Sequence, residues 1–370
     1  MKKRYRNQIN SVWTELILRP CIRSIIGVVI GTSSLAVQAA GSPAEVVPAA
    51  TMSTPYAERL DVRTYLDTLA QEHGFDRKAL TELFAQVRQR QDVIERISRP
   101  AEKAWTWARY QKLLVSQTRI EQGVEFWTAH ADTLARAHKQ FGVAPEYVLA
   151  ILGIETRYGR VTGDFPVIEA LTTLGFDYPP RSKFFRKELT EFLLLAREEG
   201  MHANQLAGSY AGAMGFGQFI PSSYRHYAVD FDNDGVRDIW QNPTDAIGSI
   251  ANYFSRHKWR GEGPVALTVD VGSTVAATAA VQQAINGGLE LRHSVASLQS
   301  MGVQINGLAP DTKVALYKLE GKGGDEYWLG LHDFYVITRY NHSHMYALAV
   351  HQLSQAIKAQ WEMKMAVGAK

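Results

Sequence analysis

Cysteine is almost absent from this chain: its 370 residues include one, Cys21. That residue lies in Arg19-Pro20-Cys21-Ile22, on the charged side of an apolar run over residues 24–36. Small residues follow in Val37-Gln38-Ala39, and the whole reads as an export signal cut near Ala39. Residues 1–40 would leave together, so Cys21 cannot become a lipidated mature N-terminus. The remaining chain has no thiol for disulfides, thiol catalysis or cysteine-held zinc. An uninterrupted apolar stretch of the ~18 residues that a membrane span needs is also missing. The long basic leader still leaves an uncleaved anchor as the alternative.

A strong charge of one sign is lacking too. Lys2, Lys3, Arg4, Arg6, Arg19 and Arg23, offset only by Glu15, exceed the net +3 of the whole chain, so the part beyond Arg23 is slightly acidic. Nucleic acid is thereby excluded as a partner. The eleven histidines form no HExxH or other close metal pattern, which excludes a metalloprotease. There is no internal repeat. What is present, 46% hydrophobic and 21% charged residues, is globular material long enough for two or three domains.

Residues 41–55 are rich in Pro, Ala and Ser and read as a flexible linker. From Tyr56 to about 140 the periodicity is helical. Leu80, Leu83, Phe84 and Val87 share one face, and Val124, Trp127, Ala131 and Leu134 another. His73-Gly74 ends one helix and Asp76 caps the next. Residues 56–144 are therefore expected to form an N-terminal helical domain. Pro145-Glu146 then opens a helix expected to run from Tyr147 to Tyr158 and stop at Gly159, apolar on nearly every side and so central. After Gly261-Glu-Gly-Pro264 the texture changes. Val265, Leu267, Val269 and Val271 alternate with polar or small residues, and two apolar runs flank Gly321-Lys322-Gly323-Gly324. These signals predict a small β-containing unit over 261–330, before residues 331–370 return to helix with Ser343 as its cap.

Glu155 falls on the stripe that carries Val148 and Leu152. Desolvation disfavours its anion, and the C-terminal end of its helix brings partial negative charge, so both effects favour a held proton. A general acid needs that property. From the helix alone, a structural partner for Arg157 or Arg160 is an equal reading. The company decides: Gly153-Ile-Glu-Thr-Arg-Tyr-Gly159, then Gly208-Ser-Tyr-Ala-Gly-Ala-Met-Gly-Phe-Gly-Gln-Phe-Ile-Pro-Ser-Ser-Tyr224. Its glycines permit close backbone approach, and Ser209 and Gln218 can orient a carboxyl or bind a sugar.

A second constellation is acidic. Asp230-Phe-Asp-Asn-Asp-Gly-Val-Arg-Asp238 puts carboxylates at positions 1, 3, 5 and 9 of a calcium loop, Gly235 at 6 and the Val236 carbonyl at 7. Gln241 stands where the bidentate glutamate belongs, so an Asx-turn loop without metal stays open.

With these motifs in view, the chain resembles the membrane-bound lytic murein transglycosylase B family, whose core is similar to goose-type lysozyme, from about Tyr56 to Ile357. The resemblance implies a mainly α (α+β) fold: a lysozyme-like helical catalytic core over 145–260, an N-terminal helical region and a small β-containing insertion. It makes Glu155 the catalytic residue. Ser209 and Gln218 carry over from the glycine-rich motif, Tyr253 from Ala-Asn-Tyr-Phe, and Tyr340, Asn341 and Tyr346 from the return segment that begins at Arg339. Tyr110 in Trp-Ala-Arg-Tyr-Gln and Arg181 in Tyr-Pro-Pro-Arg are weaker matches, and Pro180 stands where the family often has a first arginine. Asp245 is implied to close the EF-hand-like loop, giving Asp230, Asp232, Asp234, Val236 and Asp245 as ligands of a structural calcium. No organic cofactor is implied. The implied substrate is the peptidoglycan glycan strand, cut between N-acetylmuramic acid and N-acetylglucosamine to leave 1,6-anhydro ends, in the periplasm. Proteins of cell-wall synthesis or remodelling are the implied partners. A hydrolytic muramidase and a non-catalytic peptidoglycan-binding protein are the competing readings.

Overall fold

The computed structural model describes residues 54–98 and 105–368. The expected signal and most of the linker lie outside the described residues. Residues 54–89 belong to one compact unit and the described residues from Arg90 onward to another. In the first, a 3-10 turn (Tyr56–Glu58) leads into α1 (Leu60–His73) and α2 (Arg77–Ala85). Gly74 closes α1 in the left-handed conformation at φ 65°, and the Asp76 carboxylate caps α2 by accepting from the Ala79 amide at 2.7 Å. Val62, Leu66, Leu69, Leu80 and Phe84 are its buried apolar residues.

The second unit begins with α3 (Gln91–Ser98), α4 (Trp107–Leu114), α5 (Gln117–Ala129), α6 (Ala131–Phe141) and α7 (Pro145–Thr156). There follow β1 (Phe165–Pro166), α8 (Val167–Asp177), α9 (Ser182–Glu198), β2 (Ala207–Gly208), α10 (Pro221–Tyr227) and α11 (Pro243–Arg256). The compact boundary at Gln89 differs from the expected one at 144, because α5 and α6 pack on α7 and α11. The apolar faces of these helices are covered from downstream in the chain. The stripe expected to run unbroken from Val124 to Leu134 is also divided. His130 leaves helical geometry at φ −125°, with its ring 4.3 Å from that of Phe126, and separates α5 from α6.

Helix α7 is central, as its all-round apolar surface predicts: ten of its twelve residues are buried. Val148, Leu149, Ile151, Leu152 and Ile154 each contribute about 1.5–3 kcal/mol by leaving water. Around it pack α5, α11 and the last helix, α16 (His344–Gly368). The approach is close enough that a Cβ on Gly153 would lie 2.6 Å from the Tyr158 hydroxyl and 3.3 Å from Leu353.

Between α11 and the return segment lies a four-stranded antiparallel sheet of order β3-β6-β5-β4, from β3 (Ala266–Val269), β4 (His293–Ser294), β5 (Lys313–Gly321) and β6 (Gly324–Gly330). Gly321 pairs with Gly324 at the tip of the β5–β6 hairpin, where the glycine-rich turn was expected. One sheet face, with Val314, Leu316 and Leu329, packs on α12 (Ser273–Ala276), α13 (Ala279–Ile285) and α14 (Val295–Ser300) through Val281, Ala284, Val295 and Leu298. Both ends of this insertion are pinned. The buried Asp333 carboxylate at the start of α15 (His332–Tyr340) accepts from the amides of Arg260 at 3.0 Å and Gly261 at 2.8 Å.

Candidate active site

Helix α7 ends two residues before the expected Tyr158. Arg157 and Tyr158 both take positive φ, 51° and 60°, and Gly159 follows at 83°. The Tyr158 amide donates to Leu152 O at 2.9 Å and the Arg157 amide to Gly153 O at 3.2 Å, which satisfies carbonyls at the helix end. Two successive non-glycine residues in this region cost about 1–3 kcal/mol each, so something must hold them. Tyr158 donates its hydroxyl to Arg119 O at 2.8 Å. The buried Arg119 guanidinium donates in turn to Gly153 O at 2.8 Å and to Leu113 O at 2.5 Å. Arg119 thus ties the end of α4, which carries Tyr110, to the turn of α7 that carries Glu155. Burial pulls its pKa down to about 10.

Thr156 reaches the other side. Its hydroxyl donates to Phe216 O at 2.8 Å, joining α7 to the glycine-rich loop. In that loop the Gln218 side-chain amide donates to Thr162 O at 2.9 Å and Gly215 O at 3.0 Å. Its carbonyl oxygen is the group left to act on a ligand. Ser209 Oγ accepts from the amides of Ala213 at 3.0 Å and Ala211 at 3.3 Å. It makes no hydrogen bond to Glu155. Gly163, at φ 99°, passes so near Gly208 that a Cβ there would sit 2.2 Å from Gly208 O.

Glu155 is partly buried between these elements. Tyr346, buried on α16, donates its hydroxyl to Glu155 Oε1 at 2.5 Å. Burial pushes the carboxyl pKa up to about 7, while the Tyr346 bond pulls it back. Tyr110 and Tyr340 are buried phenols that feel the same carboxyl, and burial raises both. Tyr340 donates to Gly217 O. Tyr253 donates to Arg339 O at 2.5 Å and is buried with its ring 4.8 Å from that of Tyr340. Asn341 is buried immediately after Tyr340. Arg181 stands apart from this group, in the 3-10 turn Pro179–Arg181, with its guanidinium 4.6 Å from the ring centre of Phe184. Sequence reasoning missed Arg119 and Thr156. The signal for Arg119 was a charge on the same α5 stripe as Gly123 and Trp127.

The acidic loop brings carboxylate oxygens of Asp230, Asp232 and Asp245 within 4.8 Å of one another. Asp245 is fully buried and accepts from the amides of Phe231 at 2.6 Å and Asp238 at 2.8 Å. Burial first, then the charges of Asp232 and Asp230, push its pKa up to about 6. Three acids this close, one without solvent, suit a hard cation. Asp234 is turned to its own backbone, accepting from the Val236 amide at 2.8 Å, and is outside that cluster. Asn242 fastens the loop by donating to Asp232 Oδ2 at 2.7 Å.

The site is thus a helical core that holds one raised carboxyl near a glycine-rich loop, with an acidic loop in the same unit. A family model described as Transglycosylase SLT domain matches residues 59–355, and the chain belongs to that family. It is 39% identical over 316 residues to membrane-bound lytic murein transglycosylase B of Escherichia coli (strain K12), covering 83% of this chain and 85% of that protein. It is similar to the solved lytic transglycosylase SltB1 from Pseudomonas aeruginosa, with TM-score 0.79 and 46% identity over 83% of this chain and 99% of that one. Escherichia coli Slt35, solved in complex with calcium, gives TM-score 0.74 and 38% identity over 84% and 94% of the two chains. The mainly α fold with some β and a peptidoglycan lytic transglycosylase activity go with this membership.

Proposed function

We propose that Glu155 acts first as acid and then as base in this reaction. The observation that carries the reading is a carboxyl held protonated to about neutral pH at the junction of α7, the glycine-rich loop and α16, with no second carboxylate among the described residues acting on it. Ordinary glycosidases divide the work between two carboxylates. Here the Glu155 proton passes to the oxygen bridging N-acetylmuramic acid and N-acetylglucosamine, and the C1–O bond breaks. The N-acetyl carbonyl oxygen of the muramic residue supports the developing positive charge at C1, with Ser209 as its hydrogen-bond donor. Glu155, now ionised, takes the proton of the C6 hydroxyl, and O6 bonds to C1 to close the 1,6-anhydro ring. Tyr346 steadies the carboxylate of the second step. Tyr110, Gln218, Tyr253, Tyr340 and Asn341 shape the cleft, with Arg181 at a more distant contact.

Asp230, Asp232 and Asp245, with Asp234 and the Val236 carbonyl on rearrangement, would hold calcium. Its charge would offset the crowded carboxylates and fix the loop, which Tyr224 joins by donating to Arg237 O. Export by the N-terminal signal places the enzyme in the periplasm, where its substrate lies. Among the described residues no helix is long and apolar enough to cross a membrane.

The test is digestion of purified sacculi by wild type and by folded Glu155→Gln, with mass spectrometry of the products. Loss of at least a thousandfold in rate is expected, and anhydro ends from the wild type. Undiminished release by the variant would refute the assignment, and reducing ends would favour the muramidase reading.

A further inference from the structure

The arginines that hold this unit together have partners. Arg90 pairs with Asp92 and Glu169, Arg225 with Glu191 and Glu198, and Arg237 with Glu199. Arg119 is satisfied by backbone carbonyls. Arg339, in the last turn of α15, is different. It is partly buried, Nη2 donates to Thr338 Oγ1 at 2.9 Å, and the guanidinium carbon lies 4.2 Å from the ring centre of Tyr335. Its Nε is buried without a hydrogen bond, and no carboxylate among the described residues pairs with it.

The surroundings locate this charge. It acts on Tyr253 and His257 of α11, on Tyr317 of β5 and on His342 of the return segment. Tyr317 stacks on His344, ring centres 5.2 Å apart, and His344 stands two residues before Tyr346, the hydrogen-bond partner of Glu155. On the other side Tyr340, next in sequence to Arg339, closes on Gly217. Arg339 is thus set where α11, the small sheet and the return segment meet: its own carbonyl accepts from the Tyr253 hydroxyl at 2.5 Å, and the Tyr253 ring lies 4.8 Å from that of Tyr340. The pKa values of His342 and His257 are pushed down, chiefly by their own burial.

A partly desolvated guanidinium wants a planar anion on its fork of donors, and this one has neutral rings and a hydroxyl. The glycan strand offers only hydroxyls and N-acetyl groups. Where the lactyl carboxyl of muramic acid is amide-linked to a stem peptide, the anions that remain are the free carboxylates of that peptide. We propose that Arg339 is the subsite for a free carboxylate of this stem peptide, on the muramic residue beside the scissile bond. The assignment rests on Glu155 marking the scissile bond.

The test uses soluble glycan strands carrying stem peptides, with their carboxylates either free or amidated, and reads kcat/KM for release of anhydro-ended products. Wild type is expected to prefer the free carboxylates about tenfold, mainly through KM, and Arg339→Gln to lose that preference. Arg339→Lys, which keeps the charge without the fork, should recover part of it. A wild type indifferent to amidation would overturn the proposal whether or not Arg339→Gln folds, and so would a variant that keeps the tenfold preference. A wild type that makes no anhydro ends from either substrate would instead refute the reading of the Glu155 site.

Discussion

Tyr346→Phe offers a graded test of the role proposed for Glu155. The hydroxyl that donates to Glu155 Oε1 at 2.5 Å serves both protonation states, but unequally. A hydrogen bond to a charged group contributes about 1.5–3 kcal/mol and one between neutral groups about 0.5–1.5, so the anion loses roughly 1–1.5 kcal/mol more when the hydroxyl is removed. At 1.36 kcal/mol per unit, the pKa of Glu155 should rise by about one unit, from about 7 to about 8. The acid step needs the proton, so activity falls as pH rises through this value. The alkaline limb of kcat/KM for anhydro-muropeptide release, followed from pH 5 to 9, should therefore move upward by about one unit in the variant. Tyr340→Phe is the control, because its hydroxyl is spent on Gly217 O and its loss should move the limb far less. A limb that stays in place in Tyr346→Phe, or moves to lower pH, refutes the argument.

Three further outcomes follow from the same contacts. A carboxyl whose folded pKa is raised from 4.5 to about 7 carries its stabilisation below 4.5 and loses it as pH rises through 7. Glu155→Gln should accordingly match wild-type stability near pH 4 and exceed it by up to ~3 kcal/mol at pH 8 in urea titrations; equal midpoints at pH 8 would contradict this. Calcium added to chelator-stripped protein should raise Tm, by the equivalent of about 2.7 kcal/mol at a hundredfold excess over Kd, and Asp245→Ala should abolish the response. If the variant responds as wild type does, the ligand set is wrong. Arg119→Met strands the Leu113 carbonyl and leaves Gly153 O only the Arg157 amide, and should cost about 1–3 kcal/mol, with Arg119→Lys recovering part. An unchanged urea midpoint for the methionine variant would show that Arg119 does not hold α4 to α7.

Much of this was legible in the sequence where the signal is local. The apolar helix around Glu155, the caps at Gly74 and Asp76, the strand alternation after Pro264 and the hairpin turn at 321–324 all follow from spacing within a few residues. What escaped depends on distant pairs. The Tyr346–Glu155 bond joins residues 191 apart and Arg119–Gly153 residues 34 apart, and no periodicity encodes either. The Tyr253 hydroxyl donates to the carbonyl of Arg339, 86 residues away, and that partner too was beyond local spacing. The helices α12 to α14 went unnoticed because segments of four to seven residues are too short to show a period.

Helix α16 supplies Tyr346 and packs on α7, and it follows every other described helix along the chain. A ribosome that has finished the glycine-rich loop, the acidic loop and the whole insertion has still not produced the group that bonds the Glu155 carboxyl. The helix bearing Glu155 has α5 and α11 against it by then but lacks the cover of α16 until that helix emerges. The partner of Glu155 is therefore added after every other described element of the site, and a chain truncated in the insertion keeps Glu155 but lacks the hydroxyl that bonds it.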